Sequence, residues 1–292
     1  MRIFDPHIHM TSRTTDDYAA LYASGVRALV EPAFWLGQPR TNVGSFIDYF
    51  DSLLGWERFR ASQFGIRHHA TIALNPKEAN DPRCVPVLEE IPRYLAKDGV
   101  VAVGEIGFDS MTPAEDKAFI RQLELAAEFS LPALVHTPHR EKLLGTRRTL
   151  DIIRDSPLAP SMVVVDHLNE TNAGIVKDAG AWMGFSIYPD TKMDEKRLVA
   201  ILHEYGTEKV LVNSAADWGK SDPLKTASTA KAMLAGGFSE SDVDRVLWQN
   251  PVDFYGQSGQ LILEPVPGFD EAESGGAAAT FEGNSLLRGA RA

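Results

Sequence analysis

The sequence predicts an α/β fold, a (β/α)8 TIM barrel in a single domain with a flexible C-terminal tail. Three observations carry this. Short apolar runs rich in Val, Ala and Leu recur along the chain, and each is followed by a segment with helical spacing. The runs are continuous rather than alternating, as expected of parallel strands buried on both faces. The βα unit occurs eight times, and right-handed crossovers repeated in that number can close into a barrel. A doubly wound sheet is the alternative. No phosphate-binding glycine fingerprint stands in the position that would favour it.

The first strand opens the chain, Met1 to Met10, and carries His7-Ile8-His9. Residues two apart on a strand point to one side, so these imidazoles can converge on one metal ion; a surface or satisfied pair is the plain alternative. A helix follows over Thr14 to Gly25, with Thr or Asp as cap and Gly as stop. Strand two is Val26 to Glu31, followed by a long loop from Pro32 to Gly44 and a helix over Val43 to Ser62. Strand three, His69 to Leu74, ends in Asn75-Pro76, and a helix is expected from Val85 to Lys97. Strand four is Val100 to Gly104, running into Glu105-Ile106-Gly107-Phe108-Asp109. Thr112 and Glu115 form a capping-box pattern at the next helix, which stops near Ser130. Strand five is Pro132 to His136, with a helix over Glu141 to Arg154. Strand six is Met162 to His167, with a helix over Glu170 to Ala179. Strand seven is Ala181 to Ile187, with a helix from Lys192 to Tyr205. Strand eight is Lys209 to Asn213, and two helices fill Leu224 to Leu247. The barrel is assigned to residues 1–263. From Glu264 to Ala292 the chain turns small and acidic, and a disordered or loosely attached tail is expected.

The 292 residues carry a formal net charge of −11, which argues against affinity based on a broad phosphate-binding surface. A pocket holding one phosphate stays open, because a bound metal supplies local positive charge. The one cysteine, Cys84, cannot form an internal disulfide, which suggests a reducing compartment; a structural role is expected for it. With neither a signal-peptide pattern nor an apolar stretch long enough to cross a bilayer, the expectation is a cytoplasmic protein without membrane contact.

In such barrels the chemistry sits at the C-terminal ends of the strands. There the sequence places His7, His9, Glu105, His136, His167 and, after strand eight, Asp217. Each suits a divalent cation, and zinc, manganese or iron fit a mixed His and carboxylate set. Singly, each has another reading: His136 and His167 as core histidines bonded to carbonyls, Glu105 as a loop-helix cap, Asp217 as a helix N-cap. A carboxylate directly after Val-Ala-Val-Gly is better explained by a partner charge, since burying it alone is costly. His68, just before strand three, and His69, at its start, are assigned structural roles at the opposite face. His203 lies late in its helix, where it favours the dipole.

His7-Ile8-His9, Gly104-Glu105-Ile106-Gly107-Phe108-Asp109, Leu134-Val135-His136, Asp166-His167, Asp217 and the closing Asn250-Pro251-Val252-Asp253-Phe254 together resemble the TatD family of metal-dependent hydrolases, within the amidohydrolase superfamily. The resemblance spans about residues 1–257 and implies two divalent ions. His7, His9, Glu105 and Asp217 would hold one, and Glu105, His136 and His167 the other, with Glu105 bridging and Asp217 serving as general base. Departures from the family pattern mark a divergent branch, such as the EboC-like proteins. Asn75 stands where a histidine is usual, at a substrate-contact position, Leu168-Asn169 follow His167, and the segment leading to Asp217 is two residues longer. They count against DNase activity. His139 and Arg140 are candidates for holding an anionic group.

The expected function is a divalent-metal-dependent hydrolase using a metal-activated water on a small ester, phosphoester or amide. A lyase or isomerase on the same barrel and a catalytically silent binding protein are the alternatives. The partner is a small-molecule substrate, nucleic acid is disfavoured, and oligomeric state is left open.

Overall fold

The computed structural model describes residues 1–269. Its strands are β1 Ile3–Asp5, β2 Val26–Pro32, β3 Arg67–Ile72, β4 Val100–Gly107, β5 Ala133–His136, β6 Val163–Val165, β7 Trp182–Ser186 and β8 Val210–Asn213. They pair in sequence order, each parallel to the next, in one eight-stranded sheet. Two backbone bonds draw the open seam together beyond the ladder. The N–H of Ala215 donates to the His7 carbonyl at 2.9 Å, and that of His9 to the Ala216 carbonyl at 2.9 Å. The barrel is thereby nearly closed, and the segments after β1 and β8, both expected to carry ligands, are fastened to each other.

The continuous apolar runs are explained by two separate cores. Inside the barrel, Phe4, Val30, Val101, Leu134, Val164 and Leu211 pack together with Trp248, Phe254 and Tyr255. Outside it, the other faces of the strands meet the helices in a larger cluster. The Asn250–Phe254 segment has a packing role. It lies in a terminal helix at the barrel floor, where Phe254 is fully buried, the Asn250 amide donates to the Thr207 and Val210 carbonyls, and the Tyr255 hydroxyl donates to Pro6 O at 2.7 Å. His69 also belongs to this floor, accepting from the Ile262 N–H at 3.2 Å. His68 pairs with Glu31 at 2.8 Å, fully enclosed.

The helices are α1 Thr15–Ala23, α2 Gly44–Asp51, α3 Arg58–Ser62, α4 Pro92–Leu95, α5 Pro113–Glu128, α6 Lys142–Asp155, α7 Ala173–Asp178, α8 Glu195–Tyr205, α9 Lys225–Ala235, α10 Glu240–Asp244 and α11 Asn250–Gly256. Three differ from expectation. The helix expected over Val43–Ser62 is α2 and α3 joined by a π-helical stretch, Ser52–Glu57. The one expected over Val85–Lys97 breaks into a 3₁₀ turn, Val85–Glu89, and the single turn α4. Pro92, inside the expected helix, lacks an N–H donor and would clash with the preceding turn of a continuous helix, so α4 starts there afresh. The helix expected from Lys192 begins at Glu195, because Asp194 caps it by accepting from the Arg197 N–H at 2.9 Å; Lys192 is left in the loop after β7. His203 lies in the last turn of α8, as expected; its ring stacks on Phe238 and its Nε2 lies 3.0 Å from Gly236 O.

Of the expected tail, residues 264–269 lie against the barrel's lower edge: the Arg67 guanidinium donates to the Glu264 and Pro265 carbonyls, and Phe269 packs on Tyr22. Residues 270–292 fall outside the described part. Among the described residues, no helix is long and apolar enough to cross a membrane.

Candidate active site

His7 and His9 follow β1 rather than lying on it. Their stretch is held by the Ile8 N–H to Val30 O, at 3.1 Å, and by the seam bonds to Ala215 and Ala216. The two Nε2 atoms approach to 3.0 Å, and the His9 ring stacks on Phe34 at 3.7 Å. Behind His7, its Nδ1 lies 2.7 Å from Asp166 Oδ2, a carboxylate that is fully buried. That contact places the proton on Nδ1 and leaves the Nε2 lone pair facing the cavity, the carboxylate–histidine arrangement that fixes a ligand's tautomer.

Glu105 reaches the same point from β4. The approach depends on Gly104: a β-carbon there would stand 2.7 Å from Leu134 Cβ and 2.8 Å from Leu134 O. Gly107 closes the turn at φ +114°. Beyond it, the Glu115 carboxylate at the start of α5 accepts the N–H groups of Asp109 and Met111 at 3.0 and 2.9 Å, fixing the loop. Glu105 Oε1 then sits 2.8 Å from His136 Nδ1, 3.0 Å from His167 Nε2 and 4.0 Å from His7 Nε2. Glu105 Oε2 accepts from the Asn75 amide at 2.9 Å. His167 adopts a left-handed backbone, φ +61°, and its Nδ1 lies 2.7 Å from Ser186 Oγ.

Three groups of ligand atoms converge here among the described residues: His7, His9 and Glu105; Glu105, His136 and His167; and His7, Asp166 and His167. All six residues are buried. Burial would raise the Glu105 pKa, but the surrounding His136, His167 and His7 outweigh it and hold the carboxylate well below its usual range. Burial, with His7 nearby, keeps His9 well below the usual imidazole value, and burial together with the Lys192 charge does the same for His167. Neutral His9 and His167 beside the anionic Glu105 are in the protonation state that binds a cation. Buried His9 Nδ1 and His136 Nε2 have no hydrogen-bond partner. The Nε2 atoms of His7 and His9, 3.0 Å apart near the Glu105 carboxylate, are donors of the kind that suit a divalent ion.

The remaining expected residues divide. Asp217, His139 and Asn75 line the same cavity, of about 130 Å³. Asp217 belongs to none of the three convergent groups among the described residues. Its Oδ1 accepts the Gly219 N–H at 2.8 Å and the Tyr188 hydroxyl at 3.2 Å, so it forms part of the wall. Asn75 orients Glu105. Arg140 is exposed and is not among the residues lining the cavity. Sequence reasoning missed three residues. Asp166, a carboxylate directly before a strand-end histidine, carried a readable signal. Lys192, whose Nζ lies 3.0 Å from His167 Nδ1, was assigned to a helix start. Lys77, also lining the cavity, stood two residues past Asn75 without a motif to mark it.

The comparisons with known proteins agree with this geometry. The sequence profile of the family described as TatD related DNase matches residues 4–256, and the chain belongs to that family. It is 24% identical over 257 residues to an uncharacterised metal-dependent hydrolase of Methanocaldococcus jannaschii, covering 87% of this chain and 99% of the relative. The structure of a TatD-like protein from Archaeoglobus fulgidus superposes with a TM-score of 0.72 at 27% identity, covering 87% of this chain and 99% of that one. A phosphotriesterase homology protein from Escherichia coli, with phosphate in its active site, shares the fold at a TM-score of 0.65 and 18% identity, covering 87% and 98%. The chain is thus a TatD-like metal-dependent hydrolase on a (β/α)8 barrel.

Proposed function

We propose that the chain hydrolyses a small anionic ester, a phosphomonoester in the first instance, at a centre of two ligand groups sharing Glu105. The observation that carries this is Lys192, which lines the same small cavity as the ligands in a chain that is acidic overall, whereas Lys77 beside it is paired with Asp109. The Lys192 charge opposes that of an anionic substrate, and a cavity of about 130 Å³ holds a headgroup rather than a whole polymer segment. The phosphate in the Escherichia coli fold relative supports the same chemistry.

In this reading His7, His9 and Glu105 would hold one divalent ion, and Glu105, His136 and His167 a second. Such ions supply Lewis acidity toward the ester oxygen and lower the proton affinity of water. Asp217, on the cavity wall, takes the proton from the attacking water as general base, with Tyr188 and the Gly219 N–H orienting its carboxylate. Lys192 offsets charge developing on the ester oxygens. Asn75 and Asp166 hold Glu105 and His7 in place.

The test compares 4-nitrophenyl phosphate with neutral 4-nitrophenyl acetate in the wild type and Lys192→Met. A charge-assisted contact is worth roughly 1.5–3 kcal/mol, so kcat/KM for the phosphate ester is expected to fall about 10- to 100-fold, with the acetate little changed. Equal losses on both esters, or wild-type hydrolysis of the neutral ester alone, would overturn the anionic-substrate reading.

A further inference from the structure

Beside the ligand cavity lies a second one, of about 340 Å³, and Trp35 and Lys77 line both. The two therefore adjoin, with the Trp35 indole and Lys77 as their shared wall. That indole is held edge-on to Trp218 at 5.5 Å, and the Lys77 ammonium lies 5.3 Å from its ring centre.

The chemistry of the second compartment differs from the first. Its charged residues are paired within the protein: Arg40 with Glu78 at 2.7 Å, Lys77 with Asp109 at 2.8 Å, and Asp81 with Arg83 at 2.6 Å. The Trp35 face, the Pro39 ring and the buried Cys84 thiol also line it. Burial raises the Cys84 pKa to about 11, so the thiol stays neutral and acts as an apolar surface. A charged ligand would have to compete with existing ion pairs for its contacts, whereas an uncharged apolar group would only displace water from the indole and the proline.

We infer that this second compartment is a leaving-group subsite, which takes the uncharged apolar or aryl portion of the ester whose anionic head enters the ligand cavity. The inference rests on the anionic-substrate reading above. Size supports it: a headgroup fills the smaller compartment, and the larger one falls within the range of small-molecule pockets. On cleavage, water's oxygen joins the phosphorus, the bond from phosphorus to the leaving oxygen breaks, and that oxygen takes up a proton. The released alcohol or phenol then lies against Trp35.

The experiment uses two phosphonates whose P–C bond resists hydrolysis, methylphosphonate and phenylphosphonate, titrated calorimetrically into the full chain as purified. Burying most of one aryl ring predicts that phenylphosphonate binds at least about tenfold more tightly. Trp35→Ala should bring the ratio of the two affinities, both measured in that variant, close to one, and Trp35→Phe, which keeps an aromatic wall, should retain most of the wild-type ratio. Equal affinity of both phosphonates in the wild type would overturn the subsite and leave the anionic-head reading standing. Binding of neither would overturn that reading and the subsite with it. An aryl advantage that survives in a folded Trp35→Ala protein would also overturn it.

Discussion

Asp166→Asn removes one charge and little volume from behind His7. In the wild type, Asp166 Oδ2 lies 2.7 Å from His7 Nδ1, Oδ1 accepts the His167 N–H at 2.7 Å, and the Asn213 amide donates to both oxygens at 3.1 Å. Burial alone would raise its pKa, yet His167, His7 and Lys192 hold it far below the carboxylate range, so the group is ionised. Gly184 leaves the necessary room, since a β-carbon there would stand 2.5 Å from Asp166 Oδ1. An asparagine can still accept from His7 Nδ1, but it must turn its own amide N–H groups toward donors already in place. It also ceases to raise the basicity of the ring. Loss of such an outer partner costs about 10- to 100-fold in metal affinity. Zinc and manganese titrations of the two proteins, with circular dichroism to confirm the fold, give the comparison. A folded Asp166→Asn protein with wild-type affinity for both ions would refute the assignment of Asp166 as the group that orients His7.

Two further predictions concern stability. Gly104→Ala places a methyl group 2.7 Å from Leu134 Cβ and 2.8 Å from backbone, and overpacking of this kind costs about 1–3 kcal/mol, read as a fall in the urea midpoint. Glu31, buried beside His68, has its pKa raised by burial from 4.5 to about 7. The folded chain therefore keeps a proton that the unfolded chain has released, and the Glu31 contribution falls with rising pH between those values, by up to about 1.4 kcal/mol per unit. His68, lowered to about 4, contributes with the opposite sign below 6.5, so the effect is read as the difference between wild type and Glu31→Gln. The variant should gain stability relative to wild type as pH rises from 5 to 7.5; a constant difference would contradict the shift.

Much of the barrel was legible because strands buried on two faces must be continuously apolar, and Val100 to Gly104 and Met162 to Val165 are of that kind. The convergence of several strand-end side chains was legible for a related reason. A histidine or glutamate ending such a run, as Glu105 and His136 do, has little reason to be there without a partner. Local competition hid the rest. Pro92 broke a segment with acceptable helical spacing, and Asp194 moved a helix start past Lys192. Contacts distant in sequence were not readable: Asp166 meets His7 across 159 positions. Asp217 stands in the wall, held by its own loop, a placement set by the turn that includes Ala215 at φ +43° rather than by any spacing rule.

The central claim, that Glu105 is shared by two ion sites, is tested most directly by elemental analysis of protein purified without chelator. Wild type should hold close to two equivalents of transition metal, His136→Ala about one, and Glu105→Gln close to none while remaining folded, because both groups use the Glu105 carboxylate. Full metal content in Glu105→Gln, or none in folded wild type even after zinc or manganese is added, would contradict it.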